Sequence, residues 1–271
     1  MPNLIFNRRL NQSKSTYSVI VENWLNELRV LGYTLPSESY IIKLNNYVNS
    51  DISNLTLMDR FFIQATETID QAKVSLINPT ANKITYPVAP TFTALQGIQG
   101  NGTTQYANLN FNLSTDTVNY TLNSNCFGAY SRTELNPATF NCIMGSYKND
   151  PPVRQSIMIP RTVGIGYISN NSLGQATHPA VASSLALLSS RRTGAANSEF
   201  WLRGTLLSSQ ANASTSLPNI SSFGLCFNNN GTPALFDTRQ SSLFYYGNGN
   251  VSILSLYTNF QAFMTDLGTQ V

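Results

Sequence analysis

At 271 residues, with 42% apolar and 11% aromatic side chains, the chain has enough apolar material to offset chain entropy, which excludes disorder. Only 11% of residues are charged, which excludes a coiled-coil rod or a polyelectrolyte tail, and no uncharged apolar stretch approaches the ~20 residues of a membrane span. A formal charge of +3, scattered along the chain, gives no basis for nucleic-acid binding.

Residues 1–78 read as helical. Ser13 or Ser15 is the expected cap of a helix in which Val19, Ile20, Trp24, Leu25, Leu28 and Leu31 recur at helical spacing, with Gly32 as its stop. After the turn Thr34-Leu35-Pro36-Ser37, Ser37 caps a second amphipathic stretch marked by Tyr40, Ile41, Leu44, Tyr47 and Val48, with Glu38 in its first turn. A third short helix is expected over Leu55 to Thr66, carrying Leu57, Met58, Phe61 and Phe62. This much apolar helix surface must be covered by the helices themselves, by the rest of the chain or by a neighbouring subunit.

Beyond Asn78-Pro79-Thr80 the helical period disappears. Short β-rich runs follow at Lys83 to Tyr86, Tyr106 to Phe111, Val118 to Leu122, Phe127 to Tyr130, Phe140 to Tyr147, Gln155 to Ile159 and Val163 to Ile168. Others lie at Leu185 to Ser190, Phe200 to Arg203, Ile220 to Asn228 and Leu243 to Tyr246. Gly/Asn/Pro clusters such as Gly100-Asn101-Gly102 and Asn228-Asn229-Asn230-Gly231 separate them. Many short strands between such turns describe a mainly β chain, an antiparallel sandwich or jelly roll over 79–271. Helical spacing returns at Ile253, Leu256, Tyr257, Phe260 and Met264, so a C-terminal helix over 251–268, stopped by Gly268, closes the chain.

The stretch from Ile77 to Asn112 reads INPTANKITYPVAPTFTALQGIQGNGTTQYANLNFN. It resembles a module of structural proteins from phages and prophages of Bacteroidota, with the shape NP…PTFT…GFQGNGT…Y…NFNP, which opens a concanavalin-like, laminin-G-like sandwich. The resemblance continues through Tyr120-Thr121-Leu122-Asn123, Tyr130-Ser131-Arg132 and Met264-Thr265-Asp266-Leu267-Gly268, and upstream through Tyr33-Thr34-Leu35-Pro36-Ser37 and Asp59-Arg60-Phe61-Phe62. Ile98 stands where that family often has an aromatic, and Leu113 where it often has Pro. The resemblance implies a virion component: a head or tail fibre, a spike or a decoration protein. It further implies docking to other virion proteins through the N-terminal region and a homo-oligomer, a trimer by fibre analogy.

The start of the chain carries no signal-peptide apolar run, so synthesis in the host cytoplasm and delivery on the virion are expected. Cys126, Cys142 and Cys226 show no metal spacing and read as small buried hydrophobes. No cofactor and no metal are expected. Glycoside hydrolysis needs two carboxylates facing one sugar, yet Asp116, Glu134, Asp150, Glu199, Asp237 and Asp266 are isolated in sequence, so no catalytic residue is assigned. His178-Pro179 reads as a solvated loop without a nucleophile motif. A lectin site uses an aromatic face against the sugar ring and amides or Arg on its hydroxyls. The candidates are Tyr130, Arg132, Tyr147, Asn149, Asp150, Trp201 and Arg203, with His178 and Asn228 to Asn230 beside them. Host-surface polysaccharide is the partner such a site expects. The alternatives are a ligand-free decoration or adaptor protein and a polysaccharide-degrading spike.

Overall fold

The computed structural model describes residues 17–271. Helix α1 (Val19–Val30) is capped by Ser18, whose Oγ accepts from Val21 N at 3.4 Å; Ser13 and Ser15 lie outside the described residues. Gly32, at φ +69, takes the left-handed turn that stops this helix, as its position predicts. Helix α2 (Glu38–Leu55) begins at Ser37, whose Oγ accepts from Tyr40 N at 3.2 Å, and it kinks at Asp51.

The third expected helix is a strand. Residues of β1 (Met58–Ile63) pair with the strand Gln240–Gly247 from Met58↔Gly247 to Ile63↔Leu243, and all six are buried. Phe61 points into the layer beneath the helices and Phe62 into the space between the sheets, so β1 buries an aromatic ring on each face. A strand buried on two sides shows no alternation, and its run of apolar residues imitates a helical one. The short α3 (Ile69–Ala72) follows, with a Thr68/Gln71 capping box.

The remaining elements run β2 (Thr85–Val88), β3 (Thr91–Thr93), β4 (Gly97–Gln99), β5 (Tyr106–Asn112), β6 (Asn125–Ser131) and β7 (Met144–Lys148). Next come β8 (Arg154–Thr162), β9 (Ile165–Ser172), β10 (Ala176–His178), β11 (Ala186–Arg192), β12 (Asn197–Leu202) and β13 (Thr205–Ala211). The chain ends with β14 (Ser221–Gly224), β15 (Phe227–Asn229), β16 (Thr232–Ala234), β17 (Gln240–Gly247) and α4 (Ile253–Asp266), the expected C-terminal helix.

Among the described residues these strands make two sheets. The first has the order β13-β12-β11-β6-β17-β4-β3, with β1 also on β17; the second has the order β10-β9-β8-β7-β14-β5-β2, with β15 and β16 attached at β7. Pairing is antiparallel throughout except β15 with β7. This is the mainly β sandwich with flanking helices that the sequence predicts.

Alternation along the first sheet builds two separate apolar layers. Phe127, Phe200, Phe244 and Tyr246 face the second sheet and meet Phe111, Met144, Met158 and Ile168. Tyr130, Leu187, Leu243 and Tyr245 face outward and are covered by Trp24, Leu28, Tyr47 and Phe260 from α1, α2 and α4. Gly128 lies under the Tyr245 ring, where an added Cβ would sit 2.2 Å from Leu188 O. The N-terminal helices therefore pack on their own sandwich.

The run Val118 to Leu122 forms no strand. The backbone N–H groups of Val118, Asn119 and Tyr120 donate to the Asp59 carboxylate at 2.7–3.1 Å, which removes them from ladder pairing.

Candidate functional site

The helical layer covers the outer face of the first sheet and leaves the outer face of the second without one. There a small apolar cluster, Cys142, Ile157, Ile159 and Phe227, packs with Tyr147, Tyr167, Ala234 and Leu235, apart from the layer between the sheets. Its rim forms a shallow groove of about 290 Å³ lined by Tyr147, Gln155, Ile157, Gln175, Phe227 and Asn229.

Strand register assembles the lining. Tyr147 of β7 lies opposite Gln155 of β8, Gly145 lies opposite Ile157, and the parallel β15 brings Asn229 alongside Tyr147. Met144 and Met158 point the other way into the core, so Tyr147, Gln155 and Ile157 share the outer face by the two-residue period. Gly145 sits at φ +157, and a Cβ on it would meet Ser156 O at 2.6 Å. Gln155 Nε2 donates to Leu173 O at 2.7 Å, which fixes the amide at the groove edge. Tyr147 Oη donates to Asn149 Oδ1 at 3.2 Å, so the ring lies against the neighbouring loop. Among the described residues nothing hydrogen-bonds the side-chain amides of Gln175 and Asn229. These two amides hold unspent donors and acceptors beside an aromatic ring.

The structure divides the residues singled out from sequence. Tyr147, Asn149 and Asp150 stay together at one end of the second sheet; Asn149 and Asp150 are exposed, and Asp150 pairs with Lys148 at 3.8 Å. Tyr130 is not a loop residue but a fully buried one in β6, its hydroxyl donating to Gln261 Oε1 at 2.6 Å; burial pushes its pKa up to about 12. Arg132 donates to Gln240 Oε1 at 3.2 Å and to the Thr269 carbonyl, tying the C-terminus down.

Trp201 lies on the helix side of the first sheet, opposite in direction to Tyr147. Its indole N–H donates to Glu199 Oε2 at 2.8 Å, and Arg191 stacks on its ring at 4.4 Å. Arg203, exposed at φ +52 in the β12–β13 turn, reaches Ser183 Oγ at 3.3 Å. His178 is not solvated: it is fully buried, Nδ1 2.6 Å from Ser208 Oγ, with its ring edge-on to Phe200. Asn228 is buried, donating to Ser221 O at 2.8 Å and accepting from Gly231 N at 2.7 Å, while Asn229 and Asn230 are exposed.

Gln155, Ile157, Gln175 and Phe227 are site residues the sequence reading missed. Two-residue periodicity places Gln155 and Ile157 on one face, but their pairing with Tyr147 depends on register, which one sequence does not display.

Among the described residues no carboxylate lines the groove. Asp237 is buried against Arg239 at 3.0 Å, Glu134 pairs with Arg161, and Glu199 with Arg191 at 2.7 Å. Burial raises the Glu134 pKa, but hydrogen bonds from Ser183, Ser184 and Arg161 outweigh it and hold the carboxyl below its ordinary value. Among the described residues no three His, Cys, Asp or Glu side chains gather as metal ligands, and no helix is long and apolar enough to cross a membrane. The three cysteines are free and buried. Arg192 is buried too, its guanidinium donating to the carbonyls of Asn170, Ala195 and Asn212 at 2.6–3.1 Å, so neither member of the Arg191-Arg192 pair is idle.

No protein-family model matches this chain, and no curated protein matches it. Among solved structures, a Trypanosoma rangeli sialidase in complex with 2,3-difluoro-KDN aligns with a TM-score of 0.55 at 11% identity, over 82% of this chain and 39% of that one. The binding domain of botulinum neurotoxin serotype D aligns with a TM-score of 0.53 at 8% identity, over 79% of this chain and 52% of that one. The ligand-binding domain of the same serotype, solved in complex with N-acetylneuraminic acid, gives a TM-score of 0.51. This chain spans about two fifths to one half of the chains it resembles. At these identities the likeness is one of fold: a two-sheet β-sandwich.

Proposed function

We propose that this chain is a phage virion protein, a fibre, spike or decoration subunit, that holds host-surface glycan in the groove on its second sheet. The observation that carries the binding role is the groove itself: an aromatic ring, an apolar floor and unspent amides on the sheet face that none of the described helices covers. That combination matches a sugar, whose ring has an apolar face and whose hydroxyls both donate and accept. The sandwich likeness to a sialidase and a toxin binding domain solved with sugars agrees with it. The virion role rests on the resemblance over Ile77 to Asn112.

Binding proceeds without turnover in this reading, since the groove offers no acid pair. The opposite side of the molecule suits attachment to other virion proteins. Val118 and Val30, 82% and 80% exposed, line two clefts of about 410 and 420 Å³ beside α1 and residues 76–80, and Val19 at the start of α1 is 74% exposed. A homo-oligomer, a trimer by fibre analogy, would present several grooves and raise avidity over a weak single site. The same exposed valines favour the second reading, a decoration protein with no ligand.

Binding of the 271-residue chain to intact host cells and their capsular polysaccharide separates the two. Saturable binding weakened about ten-fold or more by Tyr147→Ala, and unchanged by Arg203→Ala on the other sheet, supports the groove. Absence of binding by an oligomer of confirmed mass moves the function to the particle alone.

A further inference from the structure

We infer that the groove selects uncharged sugars, hexose or N-acetylhexosamine units, over sialic and uronic acids. This rests on the glycan-binding reading and narrows it. None of Tyr147, Gln155, Ile157, Gln175, Phe227 and Asn229 carries a charge. The charged residues nearest in sequence are directed elsewhere. Lys148 and Arg154 are register partners one step beyond Tyr147 and Gln155, so the pleat turns them to the opposite face. Lys148 Nζ is also engaged by Asp150. Arg161, further along β8, is bound to Glu134.

Among the described residues that line this groove, a sugar carboxylate would shed water and meet no cation. Burying an unpaired charge is costly, and the charge-assisted bonds that recognise carboxylates need Arg or Lys. Neutral hydroxyls face no such penalty. The Gln175 and Asn229 amides each present two N–H donors and a carbonyl acceptor, which suits groups that donate and accept at once. Gln155 adds its carbonyl oxygen, its N–H being held by Leu173 O. The half-buried Tyr147 ring, beside the edges of Phe227 and Ile157, supplies apolar surface for the C–H face of the sugar. At about 290 Å³ the groove is at the small end of ligand sites, so it reads a few units of a chain and not a branched array.

Salt separates the two chemistries, because screening weakens a charge-based contact and leaves hydroxyl–amide contacts nearly untouched. The experiment is titration calorimetry of the 271-residue chain. One panel is neutral: dextran, mannan, galactan and β-glucan. The other is acidic: polysialic acid, alginate and hyaluronan. Both are run at about 50 and about 500 mM NaCl. The expected result is saturable binding to a neutral glycan that changes less than about two-fold with salt and exceeds any acidic glycan by about ten-fold. Tyr147→Ala and Asn229→Ala should each weaken it, and Gln155→Arg should shift preference toward the acidic panel at low salt. Acidic glycans preferred by the wild type, with binding lost in Tyr147→Ala, would overturn the neutral selectivity while leaving a glycan-binding groove. Binding indifferent to both alanine variants, or no binding to either panel, would overturn the groove reading and this inference together.

Discussion

His178 is the one histidine of the chain, and it is closed into the seam between β10 and β13. Its Nδ1 meets Ser208, its ring meets Phe200, and its Nε2 is buried without a partner. Burial disfavours the imidazolium and pushes the pKa down to about 4. A folded-state value below the ordinary one near 6.5 means that the unfolded chain binds the proton more tightly. The stabilisation is therefore fully present above about pH 6.5 and is lost as pH falls toward 4, by about 3 kcal/mol over that window. His178→Asn keeps a group to meet Ser208 but does not titrate. Urea unfolding at pH 4.5 and 7 should show a pH-dependent loss in the wild type that is largely absent in the variant. Equal slopes would show that protonation of His178 does not strain the seam. The loop-like sequence around His178-Pro179 concealed this burial, because a three-residue strand leaves no periodic trace.

At the scale of elements, β1 links the two halves of the chain. It adds a strand to β17, and from its second residue the Asp59 carboxylate gathers the backbone N–H groups of Val118, Asn119 and Tyr120. Replacing Asp59 with Ala leaves those donors without an acceptor in a closed site, and a loss of about 3 to 5 kcal/mol is expected. Asp59→Asn should recover part of it, since one carbonyl oxygen remains. Denaturant melts of the two variants measure this; a loss below ~1 kcal/mol for Asp59→Ala would show that water replaces the carboxylate.

Helices α1, α2 and α4 were legible in the sequence because their signals are local. Ser37 caps α2, Gly32 and Gly268 take left-handed turns, and α4 buries Leu256, Phe260 and Met264 at helical spacing. Strand β1 was hidden by its own burial on both faces. β13 was hidden because Thr205–Ala211 is largely exposed and polar, and so shows little apolar alternation. The groove was half legible for a related reason. Tyr147 and the asparagine turn stand out as residue types, but Gln155 and Gln175 join them only through register and the β9–β10 turn.

For the whole molecule, the decisive fact is that the sandwich and its helical layer share one apolar cluster. Phe260 of α4 meets the rings of Tyr47 in α2, Phe61 in β1 and Tyr130 in β6, with centroids 5.2–6.1 Å apart. A 79–271 fragment would lose Tyr47 and Phe61 from that cluster. It would also strip β1 from β17 and uncover Leu187, Leu243 and Tyr245 on the face where α1 and α2 lie. Each of these side chains gains about 1.5–3 kcal/mol from burial, so the exposed set exceeds the few kcal/mol by which a domain is usually stable. The fragment is therefore expected to aggregate or to lack fixed tertiary structure, while the 271-residue chain melts in one cooperative transition. Near-ultraviolet circular dichroism and size-exclusion chromatography of the fragment test this. A monomeric fragment with native aromatic signals would mean that the sheets hold without their helices. The helical side would then be free to separate and dock elsewhere on the particle, and the groove would have to be studied on a detachable head.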